Sequence, residues 1–300
     1  VAQEDGGRGM RRGFLYAIGA LLLTAFIILN DLVDDWGRLS GGMENLSVFV
    51  QESMWPPNWS VLEAQSYPVC ENKIEFFCSV GYIGMMETIK IAFVATIFGF
   101  IGALCLSSFA AKNLMPMRIA FPFRTLLSAT RSLPSLIWAI IFVIVIGFGP
   151  LAGVLAMTFY TIGYLGKLQY ETYEGMPSDS LEVSKAMGLS HPAIFTSVVI
   201  PETGNHLLSQ LMFMFEYNVR HGTVIGIVGA GGIGYYINTY LKLLQYDKVL
   251  ALLILIFIVV ILIDLLSLML RSFVTDEGDV RQPKWLSFLM KLRKGDESTE

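Results

Sequence analysis

From Lys248 to Leu270 the chain reads KVLALLILIFIVVILIDLLSLML, with Asp264 the only charge after its first residue. About 20 mostly apolar residues are what a helix needs to cross the hydrocarbon core of a bilayer. With no water in that core to bind N–H and C=O groups, a run of this kind is helical. The rest of the chain keeps the same company. Apolar runs recur at Phe14 to Leu29, Met85 to Phe109, Ala120 to Ile146, Leu151 to about Leu168, and about His206 to Gly229. The sequence therefore predicts an all-α, polytopic membrane protein of six transmembrane helices, in agreement with 54% hydrophobic and 15% charged residues.

A formal net charge of −4 offers no basic face for displacing counterions, so nucleic acid is not an expected partner. Three cysteines make neither a disulfide scaffold nor a zinc site. Cys70 and Cys78 share one polar segment and either close a disulfide or remain as two thiols, while Cys105 sits in an apolar run as a packing residue. His191, His206 and His221 lack metal-ligand spacing, so no metal is expected.

Arg8, Arg11 and Arg12 precede the first run, and no small-residue cleavage site follows it, which predicts an uncleaved anchor. Placing the N-terminus in the cytoplasm puts fourteen of the 21 Lys and Arg residues in cytoplasmic segments. Both termini are then cytoplasmic, residues 31–81 lie outside, and the stretch from about Lys167 to Thr203 lies inside. Three regions result: 1–80, an anchor helix and outer loop; 81–272, the transmembrane core, with a cytoplasmic hairpin at 171–203; and 273–300, a tail. In KWLSFLMKLRK (Lys284 to Lys294) one apolar face among basic residues suits a helix lying on anionic lipid.

Within the hairpin, DSLEVSKAMGLSHPAIFTSVVIPETG (Asp179 to Gly204) holds two short helical patterns. Gly188 ends the first, Ser190 caps the second, Pro192 sits in its tolerant first turn, and Pro201 is expected to stop it before the fifth span. Glu182, Gly188 and Pro201, with Val198, Val199 and Ile200 before the proline, resemble the E-A-A, Gly, I-x-L-P signature of ABC importer permeases. Val183 and Ser184 stand in place of the two alanines, and Ile200 in place of leucine. ETIKIAFVATIFGFIGALCLS (Glu87 to Ser107), TRSLPSLIWAIIFVIVIGFGPLAGVLAM (Thr130 to Met157) and VRHGTVIGIVGAGGIG (Val219 to Gly234) resemble the phosphonate branch of that family.

The resemblance covers about residues 80–272 and implies a type I ABC importer permease fold in the bacterial inner membrane. Its expected partners are a second copy of the chain, two ATP-binding cassette subunits and a periplasmic phosphonate- or phosphite-binding protein. The hairpin, through Glu182, Ala186, Gly188, Leu189, Ser190 and Pro201, would supply the coupling helix that docks on the ATPase. The cargo would be phosphonate, phosphite or a related oxyanion, with methionine or a quaternary amine as the alternative. The chain has no GxxxxGK[ST] motif, so ATP–Mg and its hydrolysis would belong to the partner subunits, and this chain would be no enzyme and hold no cofactor.

Charges inside apolar spans are costly and imply partners or a pathway. Arg131 and Glu216 fall at similar depths along the third and fifth spans and could pair; Glu216 and Arg220 could instead pair along one helix face. Arg131 or Arg220 could alternatively line an anion path. Asp264 is expected near cytoplasmic headgroup water, Glu87 and Lys90 at the outer interface, and Pro134 at a kink that in the family helps to form the gate.

GIVGAGGIGYY (Gly226 to Tyr236) carries Gly229, Gly231 and Gly234 at dinucleotide-fingerprint spacing. An apolar helical run precedes it where that fingerprint requires a strand, which argues against a membrane oxidoreductase. With period four, Gly222, Gly226, Ala230 and Gly234 form one small-residue stripe suited to close helix packing and gating, while Gly229, Gly231 and Gly232 loosen the outer end of span five.

Overall fold

The computed structural model of the protein describes residues 2–33, 35–64 and 74–274. Cys70 and the tail from residue 275, including the expected lipid-bound helix, lie outside them. The described residues are helical nearly throughout and divide into two compact units, one up to Pro56 and one from Pro57 onward. The first holds α1 (Ala2–Leu32), long and apolar enough to cross a membrane over Gly13–Leu32, and α2 (Gly37–Phe49).

The second unit runs α3 (Val80–Ala110), α4 (Met117–Ser132), α5 (Ser135–Ile146), α6 (Pro150–Glu174), α7 (Ser178–Ala186), α8 (His191–Ile194), α9 (Ile200–Ile225), α10 (Ile233–Lys242) and α11 (Tyr246–Val274). Of these α3, α6 and α11 are continuous membrane-length helices; α4 with α5, and α8–α9 with α10, are bent pairs. Each bent pair taken as one span gives six crossings.

Three sequence expectations change here. The third span is not one helix with a kink: α4 and α5 meet at 85°. Pro134 has no N–H and forces Leu133 before it into the extended region (φ −97°, ψ 133°). The Trp138 indole N–H then donates to Thr130 O across the break at 2.9 Å and fixes its angle. The fourth span extends to Glu174, beyond Leu168. Pro201 does not stop the second hairpin helix: a π-turn over Phe195–Val199 precedes it, with Ile200 N–H donating to Phe195 O, and the helix continues into α9. The wide turn reorganises the backbone bonds around the missing N–H.

The centre of the unit is the pairing of α3 with α6. Ser107 Oγ donates to Gln169 Oε1 at 3.1 Å, and Lys112 N–H to Glu174 Oε1 at 2.6 Å, both 62 positions apart, so the two helices run parallel in fixed register. At Gly99 a Cβ would lie 2.4 Å from Thr161 Cγ2, which is how closely the helices approach. α9 crosses both in the opposite sense through Asn218, which is 1% exposed. Its Nδ2 donates to Thr96 Oγ1 at 2.9 Å and to Thr161 Oγ1 at 3.1 Å.

The glycine string is not one stripe along a helix. α9 ends at Ile225, and Gly229, Gly231 and Gly232 take φ of +88°, +83° and +77° before α10 begins. Gly226 and Gly234 face one another inside this turn: a Cβ on Gly234 would lie 1.9 Å from Thr223 O, and one on Gly226 2.6 Å from Gly231 O. Both obstacles are backbone and cannot swing aside. Gly226→Ala and Gly234→Ala should therefore each lower folded, monodisperse yield in detergent, measured by fluorescence size-exclusion chromatography. Gly204→Ala, which meets nothing within 4 Å, should not.

Candidate functional site

The polar hairpin sits at the end of the bundle where α3 and α6 finish. α7 starts after Pro177, and Gly188 ends it at φ +72°. Ser190 occupies the N-cap position of α8 but its side chain makes no capping bond; Pro192 provides the first-turn residue. Leu181, Ile194 and Val199 are buried in one cluster with Tyr173 of α6, Ala111 and Leu207. Polar contacts add to this anchor. Lys185 Nζ donates to Asn113 O at 2.6 Å, His191 Nε2 lies 3.2 Å from Ser108 O, and Asn113 Nδ2 donates to Tyr173 O at 2.6 Å. Arg124 pairs with Glu174, donates from Nε to Ala110 O at 2.8 Å, and lies 4.4 Å from the centre of the Tyr170 ring.

While one face is held, the other is open. Val183 is 58% exposed and Met187 65%, and Glu182, Ala186, Gly188, Leu189 and Ser190 are exposed beside them. An exposed apolar patch on one face of a short helix is a candidate interaction surface.

A second site lies at the α4–α5 break. Arg131, Ser132, Pro134, Ser135, Tyr160, Tyr217 and His221 help to line a cavity of about 360 Å³. The Tyr160 and Tyr217 hydroxyls share one hydrogen bond at 2.9 Å, their rings stack at 5.7 Å, and His221 stacks on Tyr217 at 3.8 Å. A second cavity, about 270 Å³, lies between the α5–α6 turn and the glycine turn and is lined by Glu87, Phe148, Gly229 and Gly231 among others.

The intramembrane charges pair otherwise than expected. Arg131 does not reach Glu216, because the helix breaks just after Arg131 and depth along a straight third span does not apply. Glu216 accepts from Arg271 at 2.9 Å and lies 3.8 Å from Arg220, so the pairing along one helix face is present. Arg220 binds both oxygens of Asp264, at 2.6 and 2.7 Å, so Asp264 is a partner within the membrane unit. Cys78 is disulfide-bonded and Cys105 is free.

Sequence reasoning missed the aromatic ladder and the Asn218 contacts. The repeat at four-residue spacing, Tyr160 with Tyr164 and Phe213 with Tyr217 and His221, is the signal that marks the ladder. Among the described residues no cluster could hold a metal ion.

A helical membrane unit with a polar hairpin exposed on one face and a polar cavity at a broken span has the build of a transport permease. The chain belongs to the family of binding-protein-dependent transport system inner membrane components, whose model matches residues 103–275. Relatives from Stutzerimonas stutzeri include HtxC, whose name places it provisionally in phosphite transport (32% identical; 84% of this chain, 86% of the relative), and the phosphite transport system permease protein PtxC (32%; 79% and 81%). The inward-facing MetNI methionine ABC transporter contains a chain 26% identical, covering 64% of this chain and 94% of its own length, with a TM-score of 0.56. The protein is thus a multi-pass ABC importer permease.

The four-charge chain of α9 and α11 should hold those helices together. Glu216, only 14% exposed, bridges two arginines, and removing it takes one ion pair from each, although Arg220 keeps Asp264. Glu216→Leu should lower the thermal denaturation midpoint in detergent more than Asp264→Asn, as read by thermal-shift fluorescence.

Proposed function

We propose that this chain works as a homodimer in the cytoplasmic membrane, forming the pathway through which an ATP-driven importer takes up phosphite, a phosphonate or a related phosphorus oxyanion. A periplasmic binding protein delivers the cargo, and two ATP-binding cassette subunits supply the energy. Similarity to phosphite permeases over most of the chain supports the substrate class. The observation that carries the coupling role is the hairpin, anchored on one face and apolar on the other.

In this reading Val183, Ala186, Met187 and Leu189 enter a groove of the ATPase, with Glu182, Gly188 and Ser190 fixing the approach and Pro201 marking where the hairpin joins α9. Both termini face the cytoplasm, on the side of the hairpin. Residues 1–80 anchor the chain and form an outer segment closed by a Cys70–Cys78 disulfide, 81–272 form the transporting core, and 273–300 lie along the inner lipid surface. The glycine turn serves packing and gating at the outer end.

Two measurements test the proposal. Met187→Asp with Leu189→Asp should lower uptake about tenfold or more at matched membrane abundance, the loss expected when buried interface anchors are replaced by charge. In a reconstituted complex, phosphite- or methylphosphonate-loaded binding protein should stimulate ATP hydrolysis; stimulation by methionine alone would overturn the substrate assignment.

A further inference from the structure

We infer that the cavity at the α4–α5 break is an oxyanion subsite, where a small tetrahedral anion such as phosphite or methylphosphonate is held in transit. The inference deepens the importer reading and rests on it.

The first observation is an arginine without a counter-charge. Arg220 is bound by Asp264 and Arg271 by Glu216, but among the described residues Arg131 has neither an ion pair nor a hydrogen bond from its guanidinium. Arg131 does complement the C-terminal end of the α4 dipole. That role does not require a cavity beside it, and it leaves the five N–H donors of the guanidinium unused.

The second observation is what else faces the cavity. The 85° break brings the start of α5 to the same place as the end of α4. α5 has twelve residues; Ile137 and Trp138 N–H donate to Pro134 O, which leaves the Ser135 and Leu136 N–H groups of its first turn without a backbone acceptor among the described residues. Ser135 in that turn is 6% exposed and its hydroxyl has no hydrogen-bond partner among the described residues, yet it lines the cavity. Tyr160 and Tyr217 spend one hydroxyl proton on each other, which leaves the second for a ligand.

The third observation is the absence of opposing charge. Among the described residues no carboxylate lines this cavity, whereas Glu87 lines the other one, between the glycine turn and α6. A permanent cation, hydroxyl donors and a helix N-terminus around one space match an oxyanion and suit neither methionine's ammonium group nor a quaternary amine.

The test uses the complete transporter reconstituted in nanodiscs. Ser132→Cys, in a chain also carrying Cys105→Ala, is labelled with a membrane-impermeant thiol reagent in the presence of phosphite, methylphosphonate or sulfate. Phosphite or methylphosphonate should slow labelling several-fold, and adding Arg131→Gln should abolish that protection. Val224→Cys, at the same cavity, is the second reporter should the first variant fold poorly. In parallel, Arg131→Gln should slow phosphite uptake about tenfold with ATPase stimulation retained, and Arg131→Lys should restore part of it. Labelling unaffected by any of the three anions, in a complex that imports phosphite, overturns the subsite and leaves the importer reading intact. Protection in a complex that imports no phosphorus oxyanion upholds the subsite and overturns that reading.

Discussion

In hydrocarbon a helix can be broken only where the freed backbone groups find partners within the protein. Much of this structure follows from how two breaks are closed. At the α4–α5 break Thr130 O, one of the last carbonyls of α4, accepts from the Trp138 indole. At the α9–α10 break Gly149 N–H donates to Gly229 O at 2.9 Å, and Ile233 N–H to Thr88 Oγ1 at 2.9 Å. The α5–α6 turn and α3 therefore grip the glycine turn from two sides. Side-chain and turn contacts replace the helical ladder at both places, and both breaks border polar space.

The opposite end of the bundle is built for stiffness. Glu174 ends α6 while receiving Lys112 N–H and Arg124, and Tyr173 is buried against Leu181 of the hairpin. Displacing α7 would strain the α3–α4 turn and α6 together, since Lys185 holds Asn113 O and His191 meets Ser108 O. The fixed register between α3 and α6 extends from there to Gly99 and Thr161 and beyond. The hairpin and the glycine turn thus lie at the two ends of one pair of parallel, closely packed helices.

Features that depend on chain-local energetics were legible in the sequence. Apolar runs of membrane length located α1, α3, α6 and α11, and Gly188 with Pro192 located the hairpin turn. What was not legible depends on partners distant in sequence. Pro134 announces a break, but its angle is set by Trp138 reaching Thr130. Pro201 reads as a stop, yet a π-turn absorbs it. Arg271 falls among the basic residues from which an orientation is expected, and only the fold turns it toward Glu216. Gly229, Gly231 and Gly234 carry a cofactor motif in spacing alone; positive φ puts Gly229 and Gly231 in a turn, and Gly234 lies in the first turn of α10, where a Cβ would meet Thr223 O.

The distribution of charge says where movement is cheap. The Arg271–Glu216–Arg220–Asp264 chain ties α9 to α11, and separating such pairs in a low-dielectric medium would leave uncompensated ions. Asn218 ties α9 to α3 and α6 through neutral hydrogen bonds, which cost less to rearrange. At the α4–α5 break the side of the cavity that carries Arg131 has no ion pair reaching across to Tyr217 and His221. Movement should therefore be cheapest at this cavity, with α9 and α11 moving as one piece, and it is here that Arg131 has no ion pair among the described residues.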